Sequence, residues 1–449
     1  MRRRLGVLLA ALLAATGAIV AVPERAPAAP ATASTVYYWN DLLLDLFRRQ
    51  GGAPTTLSRA GAIMHAAVFD TINSAWWSKR DATGNGYHNY LTLWLVDPSV
   101  DDDLAAGLTA HDLLVDLFPA HRALIDQRFA DRHGTGAPQA AARRLADLVV
   151  TGYRQNRAND GSTVNPGYTP DGVPGAWRPT GNPPCTATTP GWGNVRPFAL
   201  NSGAQFRRPL PGGHTTYPAL LASPLYAANL AQVRSLGRVD STTRTAEQTT
   251  IAWFWANDLD GTYKPPGLLL DHTRSITQSR ITDPVRLSRV FALVALSLAD
   301  AAIAVWDTKY LTPIDLWRPV TAIQQDATNP DPTWLPLSSD RNNVSVTPCF
   351  PAWVSGHSAF AAAWGAVLKR EVGDGISFTV GTEDPHLPPG VLRSFTSINQ
   401  AVTEHGQARI YLGVHYQFDV DDGLATGNSV GTFVHTNKLT SLNCPTPCG

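Results

Sequence analysis

The sequence predicts an all-α fold of two helical bundles with long ordered loops. Apolar residues recur at helical spacing in most segments, as Ala60, Ile63, Met64, Ala67 and Val68 do on one face of a single segment. Alternating polar and apolar runs, which would indicate strands, are scarce, and neither a dinucleotide glycine fingerprint nor a P-loop occurs. With 449 residues, the chain is long enough for one large domain or two modest ones.

The predicted helices form two groups on either side of a long loop. In the first group they cover residues 36–49, 57–74, 101–117, 119–133 and 138–156. In the second group they cover residues 217–236, 242–257, 283–310, 358–372, 391–412 and 422–439. Four histidines of the first group are interpreted as core or surface residues, because no second ligand lies nearby at metal spacing. They are His65, His111, His121 and His133.

Residues 159–211 form the long loop, which is rich in Gly, Pro, Thr and Asn. Disordered segments are poor in aromatic residues, whereas this one contains Trp177, Trp192 and Phe198. We therefore expect an ordered loop that packs across one end of the helices. The predicted domains are an N-terminal bundle over 34–215, which includes the loop, and a C-terminal bundle over 216–449 that carries the active site.

The N-terminus predicts a secretory signal peptide over residues 1–33, and hence an extracellular protein. Arg2, Arg3 and Arg4 precede an uncharged run over residues 5–22, and small residues follow. Cleavage is expected after Ala33 rather than after Ala28, because Pro27 interrupts the earlier site. The alternative is an uncleaved anchor, since the run approaches the length of a membrane span. No later segment is expected to be long and apolar enough to span a bilayer.

Export permits disulfides, and the chain has four cysteines. Three pairings are open; we favour Cys444 with Cys448, which leaves Cys185 with Cys349. The long closure between Cys185 and Cys349 would contribute about 4–5 kcal/mol on the chain-entropy argument. The alternative is that these residues are free buried thiols.

Composition argues against several classes of function. The formal net charge is zero, charged residues make up 16% of the chain, and no basic stripe indicates a nucleic-acid partner. Ser355 lacks the Gly-x-Ser-x-Gly setting of a serine hydrolase, and no Cys/His cluster has zinc spacing. The acidic runs at 101–103 and 419–422 lack calcium-loop spacing and are interpreted as helix caps.

The first candidate site lies where the aromatic segment 350–354 runs into a predicted helix. Ser355 and the amide of Gly356 would lie at the helix N-terminus, where free N–H groups and the helix dipole favour an oxyanion. By itself such a serine commonly acts only as a cap. The interpretation as a site depends on charged and imidazole groups elsewhere in the C-terminal half.

Three cations and two imidazoles supply those groups. They are Lys309, Arg318, Arg409, His357 and His415. Arginine forks match the oxygens of phosphate-like groups, and lysine adds a point charge. One histidine would attack or coordinate the central atom of the anion, and the other would move protons. Asp419 follows His415 by four residues and is placed to fix the tautomer of its imidazole.

These residues resemble the signature shared by vanadium-dependent haloperoxidases and type 2 phosphatidic acid phosphatases. That signature reads here as Lys309, Arg318-Pro319, Ser355-Gly356-His357, Arg409, His415 and Asp419. Further segments are similar to secreted bacterial haloperoxidase-like proteins. They are residues 64–70, 254–257, 299–301, 306–310 and 317–323. The resemblance implies helical bundles of the vanadium haloperoxidase type.

Two departures from the family pattern concern local geometry. The family usually spaces its lysine and arginine about seven residues apart, which at about 100° per residue returns to nearly the same helical face. Lys309 and Arg318 are nine positions apart, so one continuous helix would aim them in opposite directions. Pro313 predicts a break after Tyr310 that places Arg318 on a separate turn. Val354 stands where proline usually precedes Ser-Gly-His.

By this resemblance the cofactor would be vanadate, with His415 as the ligand to its metal. The groups that would neutralise its oxygens are Lys309, Arg318, Ser355, the Gly356 amide and Arg409. His357 would act as acid and base, and Lys309 would polarise bound peroxide. The substrates would be hydrogen peroxide and chloride or bromide, with a small organic acceptor as a further partner, and the product would be hypohalous acid.

The alternatives are a secreted acid phosphatase with a phosphohistidine at His415, and a non-catalytic oxyanion-binding protein. Trp306 and Phe350 match aromatic positions that line the halide site of chloroperoxidases in this family. A dry aromatic wall weakens halide hydration and leaves no room for the hydrogen-bonded alcohol of a phosphomonoester, which favours the haloperoxidase. Otherwise both rings are core residues of a helical bundle.

Overall fold

The computed structural model describes residues 34–79 and 86–442, and helices account for nearly all of their regular structure. The helices are α1 Thr35–Gln50, α2 Pro54–Ser78, α3 Asp102–Leu117, α4 Arg122–His133, α5 Ala140–Arg157, α6 Tyr217–Leu221, α7 Pro224–Leu236, α8 Ala246–Phe254, α9 Lys264–Thr277, α10 Pro284–Tyr310, α11 Pro319–Gln324, α12 Gly356–Val372, α13 Ile398–Tyr411 and α14 Gln417–Asn437. One antiparallel hairpin pairs β1 Phe378–Gly381 with β2 Leu392–Phe395. The all-α prediction is confirmed. The predicted signal peptide over 1–33 and the Cys444–Cys448 pair lie outside the described residues.

Helix α10 is the central element, and it packs against α2, α12 and α14. Asp283 caps its N-terminus by accepting from Arg286 N, and Pro284 occupies the first turn. The helix is long and apolar enough to cross a membrane, contrary to our expectation, but its most apolar stretch is entirely buried inside the protein. Because α10 packs against α2 and also against α12 and α14, it links the helices before and after the long loop. The predicted domain boundary at residue 215 stays a prediction.

Glycines allow α14 to approach α12 closely enough for backbone contact. A Cβ atom at Gly423 would lie 2.6 Å from the carbonyl oxygen of Ser355, and one at Gly427 would collide with the carbonyl of Ala359. Gly431 repeats the pattern one turn later against Ala363. This spacing of four residues places the stripe on one face of α14. As a result, the start of α12 lies directly against the start of α14.

The long loop is ordered, as predicted, and contains the short 3-10 helices Trp192–Asn194, Gly203–Phe206 and Pro211–Gly213. Trp177, Trp192 and Phe198 are buried. The carboxylate of Asp300 on α10 accepts three backbone N–H bonds from residues 198–200, at 2.7–2.9 Å. These bonds anchor the loop to the central helix.

The predicted disulfide between Cys185 and Cys349 is confirmed. Beside it, Thr188 N donates to Cys349 O at 2.9 Å, and the Thr188 carbonyl accepts from the Trp306 indole at 3.0 Å. The long loop is thereby tied to both aromatic residues of the proposed halide wall, because Phe350 follows Cys349 directly.

The predicted helices over 217–236 and 391–412 differ most from those observed. The segment 217–236 is broken into α6 and α7, because Ser223 caps a new helix that has Pro224 in its first turn. The prediction for 391–412 is wrong at its start, since Leu392–Phe395 pair with β1 and α13 begins only at Ile398. Helix α9 was not predicted.

Candidate functional site

The start of α12 forms the floor of the site. Ser355 is the N-cap residue, and its Oγ accepts from Ser358 N at 3.3 Å and from Ser358 Oγ at 2.9 Å. Ser355 N donates to Asp419 O at 2.9 Å, which joins this turn to the segment that carries His415. Gly356 begins the helix, so the amides of the first turn and the positive end of the dipole lie here.

Lys309 and Arg318 converge although nine positions separate them. Helix α10 ends at Tyr310, and Arg318 is the N-cap residue of α11, so the break that the sequence predicted is present. Both cations lie over the ring of Phe350, at 5.0 Å for Lys309 Nζ and 4.8 Å for Arg318 Cζ. The Lys309 ammonium donates to Pro351 O at 2.6 Å. Burial, and then the charge of Arg318, lower the pKa of Lys309 well below its ordinary value.

The two buried arginines have N–H groups without a partner. Arg318 donates from Nε to Phe350 O and from Nη1 to Val414 O, both at 2.8 Å, while its Nη2 has no acceptor within the described ranges. Arg409 donates from Nη2 to Asp258, while its Nε and Nη1 have no acceptor there either. Unpaired buried donors on a charged group are costly, so a bound oxyanion that supplied acceptors would be strongly favoured.

His415 is held in one tautomer by Asp419. The Nδ1 of His415 donates to Asp419 Oδ2 at 2.9 Å, so the lone pair lies on Nε2, which accepts from Arg318 Nη1 at 3.1 Å. Burial, and then Arg318, Lys309, Arg409 and His357, lower the pKa of His415 well below its ordinary value. The number of groups that act on the His415 imidazole shows that the predicted site residues surround it.

His357 presents the second imidazole. Its Nε2 donates to Ala256 O at 3.0 Å, which leaves the lone pair on Nδ1. Burial and then the charge of Arg409 lower the pKa of His357 to about 4. The ring is therefore neutral at ordinary pH and is able to accept a proton once negative charge is placed beside it.

Asp258 is a site residue that the sequence reasoning missed. Its carboxylate lies 3.1 Å from Arg409 Nη2 and 3.4 Å from His357 Nε2. Burial disfavours its ionisation, but its interactions with His357, Arg409 and Lys264 outweigh burial and lower its pKa. The available sequence signal for Asp258 was its position directly after the segment 254–257, which carried part of the resemblance.

A cavity of about 440 Å³ opens beside these residues. Its lining includes Gly356, His357, Asp258, Trp306 and Phe350. The Trp306 and Phe350 rings have centroids 4.9 Å apart and form one aromatic wall. The structure thus brings together every residue that the sequence predicted for the site. The described residues contain no cluster of three or more His, Cys, Asp or Glu residues with the geometry of a metal site.

Comparison with known proteins identifies the arrangement. Residues 289–443 match the model of the VCPO second helical-bundle domain. A curated relative, the vanadium chloroperoxidase of Curvularia inaequalis, is 29% identical over 232 residues, which are 40% of this chain and 37% of the relative. The chain therefore spans little more than a third of the length of that relative. The crystal structure of the first bacterial vanadium-dependent iodoperoxidase matches with a TM-score of 0.76 and 26% identity, covering 91% of this chain and 97% of that one.

These matches support the superfamily of vanadium haloperoxidases and type 2 phosphatidic acid phosphatases for this chain. Apo and holo structures of a bacterial vanadium-dependent chloroperoxidase share this superfamily fold, each with a TM-score of 0.62. The apo structure is 16% identical and covers 85% of this chain and 92% of its own. The holo structure is 15% identical and covers 91% and 92%. At such identity these two matches support the fold alone.

The superfamily implies an oxyanion ligand, and the residues present fit vanadate. The unpaired nitrogens of Arg318 and Arg409 require acceptors, which vanadate oxygens provide. The lone pair of His415 Nε2 is of the kind that binds a transition metal, and Asp419 holds the opposite nitrogen as a carboxylate does behind many metal-bound imidazoles.

Proposed function

We propose that this protein is a vanadate-dependent haloperoxidase that oxidises chloride or bromide with hydrogen peroxide to hypohalous acid. The observation that carries the proposal is the set of buried, unpaired guanidinium nitrogens of Arg318 and Arg409 around a histidine whose Nε2 lone pair points towards Arg318. Such a set suits a compact multiply charged oxyanion.

The residues around the proposed anion form a cage, and each would contribute a separate part of the binding. They are Lys309, Arg318, Ser355, Gly356, Arg409 and His415. His415 Nε2 would hold the metal, and the cations with Ser355 and the Gly356 amide would balance the charge of the oxygens. The chemistry that bound vanadate supplies is Lewis-acid activation of hydrogen peroxide towards halide. Lys309, held by the carbonyls of residues 351 and 352, would fix positive charge beside the reacting oxygens.

Proton transfer would belong to His357. Its Nδ1 lone pair accepts a proton from incoming hydrogen peroxide and returns a proton to the departing water. Asp258 stabilises the charged form because it lies 3.4 Å from Nε2, and Ala256 O fixes the orientation of the ring. The rise in the pKa of His357 on anion binding would make this exchange favourable.

The aromatic wall favours halide over a phosphate ester. Trp306 is buried, and Phe350 closes the cavity beside Lys309 and Arg318. A weakly hydrated halide gains from such a wall, whereas the hydrogen-bonded alcohol of a phosphomonoester does not. The protein would act outside the cell, as its N-terminal sequence predicts.

The alternative function is phosphate-ester hydrolysis through a phosphohistidine at His415, since the same cage would hold phosphate. A paired assay on the purified protein separates the two: peroxide-dependent halogenation after vanadate loading, and release of phosphate from a simple monoester. We expect halogenation that requires vanadate. Phosphate release without halogenation would establish the phosphatase, and tight anion binding without either activity would indicate a binding protein.

A further inference from the structure

The cavity of about 440 Å³ beside the site is much larger than hydrogen peroxide and a halide require. A water molecule takes about 30 Å³ in the liquid, and peroxide and halide are each on the order of one or two waters in size. Pockets that bind organic molecules of drug size typically measure about 300–1,000 Å³. The cavity therefore has room for a third and larger reactant.

The cavity extends from solvent to the proposed anion site. Val346, which is 40% exposed, and the exposed Gly52 both contribute to its lining. Gly356 and His357, which are buried, line it as well. An oxidised halogen that formed in the cage would therefore meet a molecule held in the cavity before it reached bulk water.

Aromatic and aliphatic side chains make up much of the cavity wall. Trp253 and Phe360 line it together with the aromatic wall of Trp306 and Phe350. The Trp253 indole is held in place because it stacks on the imidazole of His386, with centroids 3.8 Å apart and planes at 14°. Such a lining gains most from an aromatic ligand, which buries a large apolar area and makes offset or edge contacts with the rings.

The charged groups of the lining already have partners within the protein. Asp258 lies 3.1 Å from Arg409 Nη2, and the Asp384 carboxylate accepts from His386 Nδ1 at 2.8 Å. The Lys264 ammonium donates to the carbonyl of Asp258 at 2.6 Å. A charged ligand would lose its hydration without gaining an unpaired counter-charge, which is costly. The lining therefore suits an uncharged molecule.

The proposed reaction defines the reactivity that such a molecule needs. Hypohalous acid transfers its halogen to an electron-rich carbon. On an aromatic ring the carbon–halogen bond forms as the halogen–oxygen bond breaks, and the departing hydroxide takes the proton that the ring carbon releases, giving water. A ring hydroxyl supplies the electron density, and a phenol with an ordinary pKa of about 10 stays uncharged at neutral pH. Thr188 and Ser338 add hydroxyl groups to the lining that can bond a phenolic hydroxyl.

Resting on the proposed function, we propose that this cavity binds an uncharged phenol and that the enzyme halogenates it there. The aromatic rings of the lining hold the phenol beside the cage, so it reacts before hypohalous acid escapes to solvent. The halogenated product then leaves through the opening at Val346.

Calorimetry on the full-length protein, with vanadate and without peroxide, tests binding apart from turnover. The probes are thymol, an uncharged alkyl phenol, and thymol sulfonate, which carries a negative charge on the same ring. We expect thymol to bind saturably and at least about tenfold more tightly than the sulfonate. Equal affinities, or thymol binding that does not saturate, would overturn the proposal.

Two variants of the lining test where thymol binds. Trp253→Leu removes a ring but keeps an apolar side chain, and it should weaken thymol binding about tenfold. Val346→Asn changes an exposed residue, so folding is spared, and it should weaken binding about threefold. Val344→Asn is the matched control and should bind normally, because this 59% exposed valine of the same loop lies outside the described lining of the cavity. Wild-type affinity in both lining variants, or an equal loss in the control, would contradict binding at this place.

Turnover with bromide and peroxide tests where thymol reacts. Excess methionine is added because it traps hypobromous acid in solution. We expect bromothymol to form despite the methionine, with a ratio of para to ortho bromination that differs from the ratio given by reagent hypobromous acid. Complete suppression by methionine together with the reagent ratio would show that the acid escapes first, and would refute the proposal.

Bromide-dependent consumption of peroxide without thymol separates this inference from the proposed function. If the wild type consumes peroxide but thymol neither binds nor escapes the methionine trap, only the phenol site is refuted. If the vanadate-loaded wild type consumes none, the haloperoxidase function fails and the phenol site fails with it.

Discussion

Asp419 Oδ2 lies 2.9 Å from His415 Nδ1 and accepts in addition from Tyr416 N at 3.1 Å. The carboxylate caps the start of α14 and at the same time fixes the tautomer of the imidazole. Burial raises the pKa of Asp419 to about 7, against the opposing effects of Tyr416 N, Lys309 and Arg318. The residue that would orient the metal ligand is thus itself sensitive to the charge of the cage.

Replacement of this carboxylate should weaken vanadate binding. In Asp419→Asn the hydrogen bond to Nδ1 is weakened or reversed, so the lone pair is no longer held on Nε2, and we expect a loss of vanadate affinity of about 10–100-fold. Equilibrium binding of vanadate measures it. Asp421→Asn, which changes an exposed carboxylate on the same helix, is the control and should bind normally. Equal affinity in both variants would contradict the assigned role.

Anion binding should draw a proton onto His357. Without an anion its pKa is about 4, because burial and Arg409 disfavour the imidazolium, and a bound oxyanion should raise it. Linkage then requires the affinity to increase as pH falls from about 6.5 and to level off below about 4. Calorimetry with phosphate in two buffers of different ionisation enthalpy measures the proton uptake.

The same calorimetry on variants assigns that proton. His357→Gln should abolish the uptake, whereas His435→Gln should retain it, because His435 pairs with Glu371 rather than with the cage. Full uptake by His357→Gln would mean that another group, such as Asp419, takes the proton.

Phe350 should affect both halide use and anion affinity, because its ring faces Lys309 and Arg318 as well as the cavity. Phe350→Leu keeps an apolar side chain but removes the cation–π contacts, each worth about 0.5–2 kcal/mol. We expect a higher KM for halide and several-fold weaker vanadate binding. Phe360 lines the same cavity, and Phe360→Leu should change only the KM for halide. Unchanged vanadate binding in Phe350→Leu would restrict its role to the halide wall.

The close approach of α14 to α12 should not tolerate an added methyl group. In Gly423→Ala the new Cβ would lie 2.6 Å from Ser355 O, so we expect a lower free energy of unfolding, by about 1–3 kcal/mol, and a displaced Ser355. Denaturant unfolding measures the free energy of unfolding, and vanadate affinity reports the displacement of Ser355. Gly375→Ala is the matched control, because its Cβ would meet nothing within 4 Å. A stable Gly423→Ala variant with normal affinity would contradict the packing argument.

The sequence predicted the cage more completely than the walls of the cavity. Lys309, Arg318 and His415 could be found because they follow one another in the order of a known signature, although Lys309 and Arg318 are nine positions apart. Asp258 could not, since a single carboxylate in a loop has no pattern, and only the fold brings it to Arg409. The same holds for His386, which reaches the cavity from the loop of a short hairpin.

Secondary structure was missed where local signals conflicted with tertiary packing. Helix α9 begins at Lys264 with Pro265 and Pro266, which resemble a loop in sequence although proline suits the first turn of a helix. The strand Leu392–Phe395 was included in a helix, because four residues are too few to show a period and its partner supplies the hydrogen bonds.

The cross-link between Cys185 and Cys349 has a practical consequence for making the protein. Cys349 precedes Phe350, so the aromatic wall is secured only after two segments separated by 164 positions have met and been oxidised. A cytosol that keeps thiols reduced would yield chains without this link. Preparations from a reducing host should therefore contain molecules whose helices are formed but whose aromatic wall is not fixed, and an oxidative refolding step should recover them.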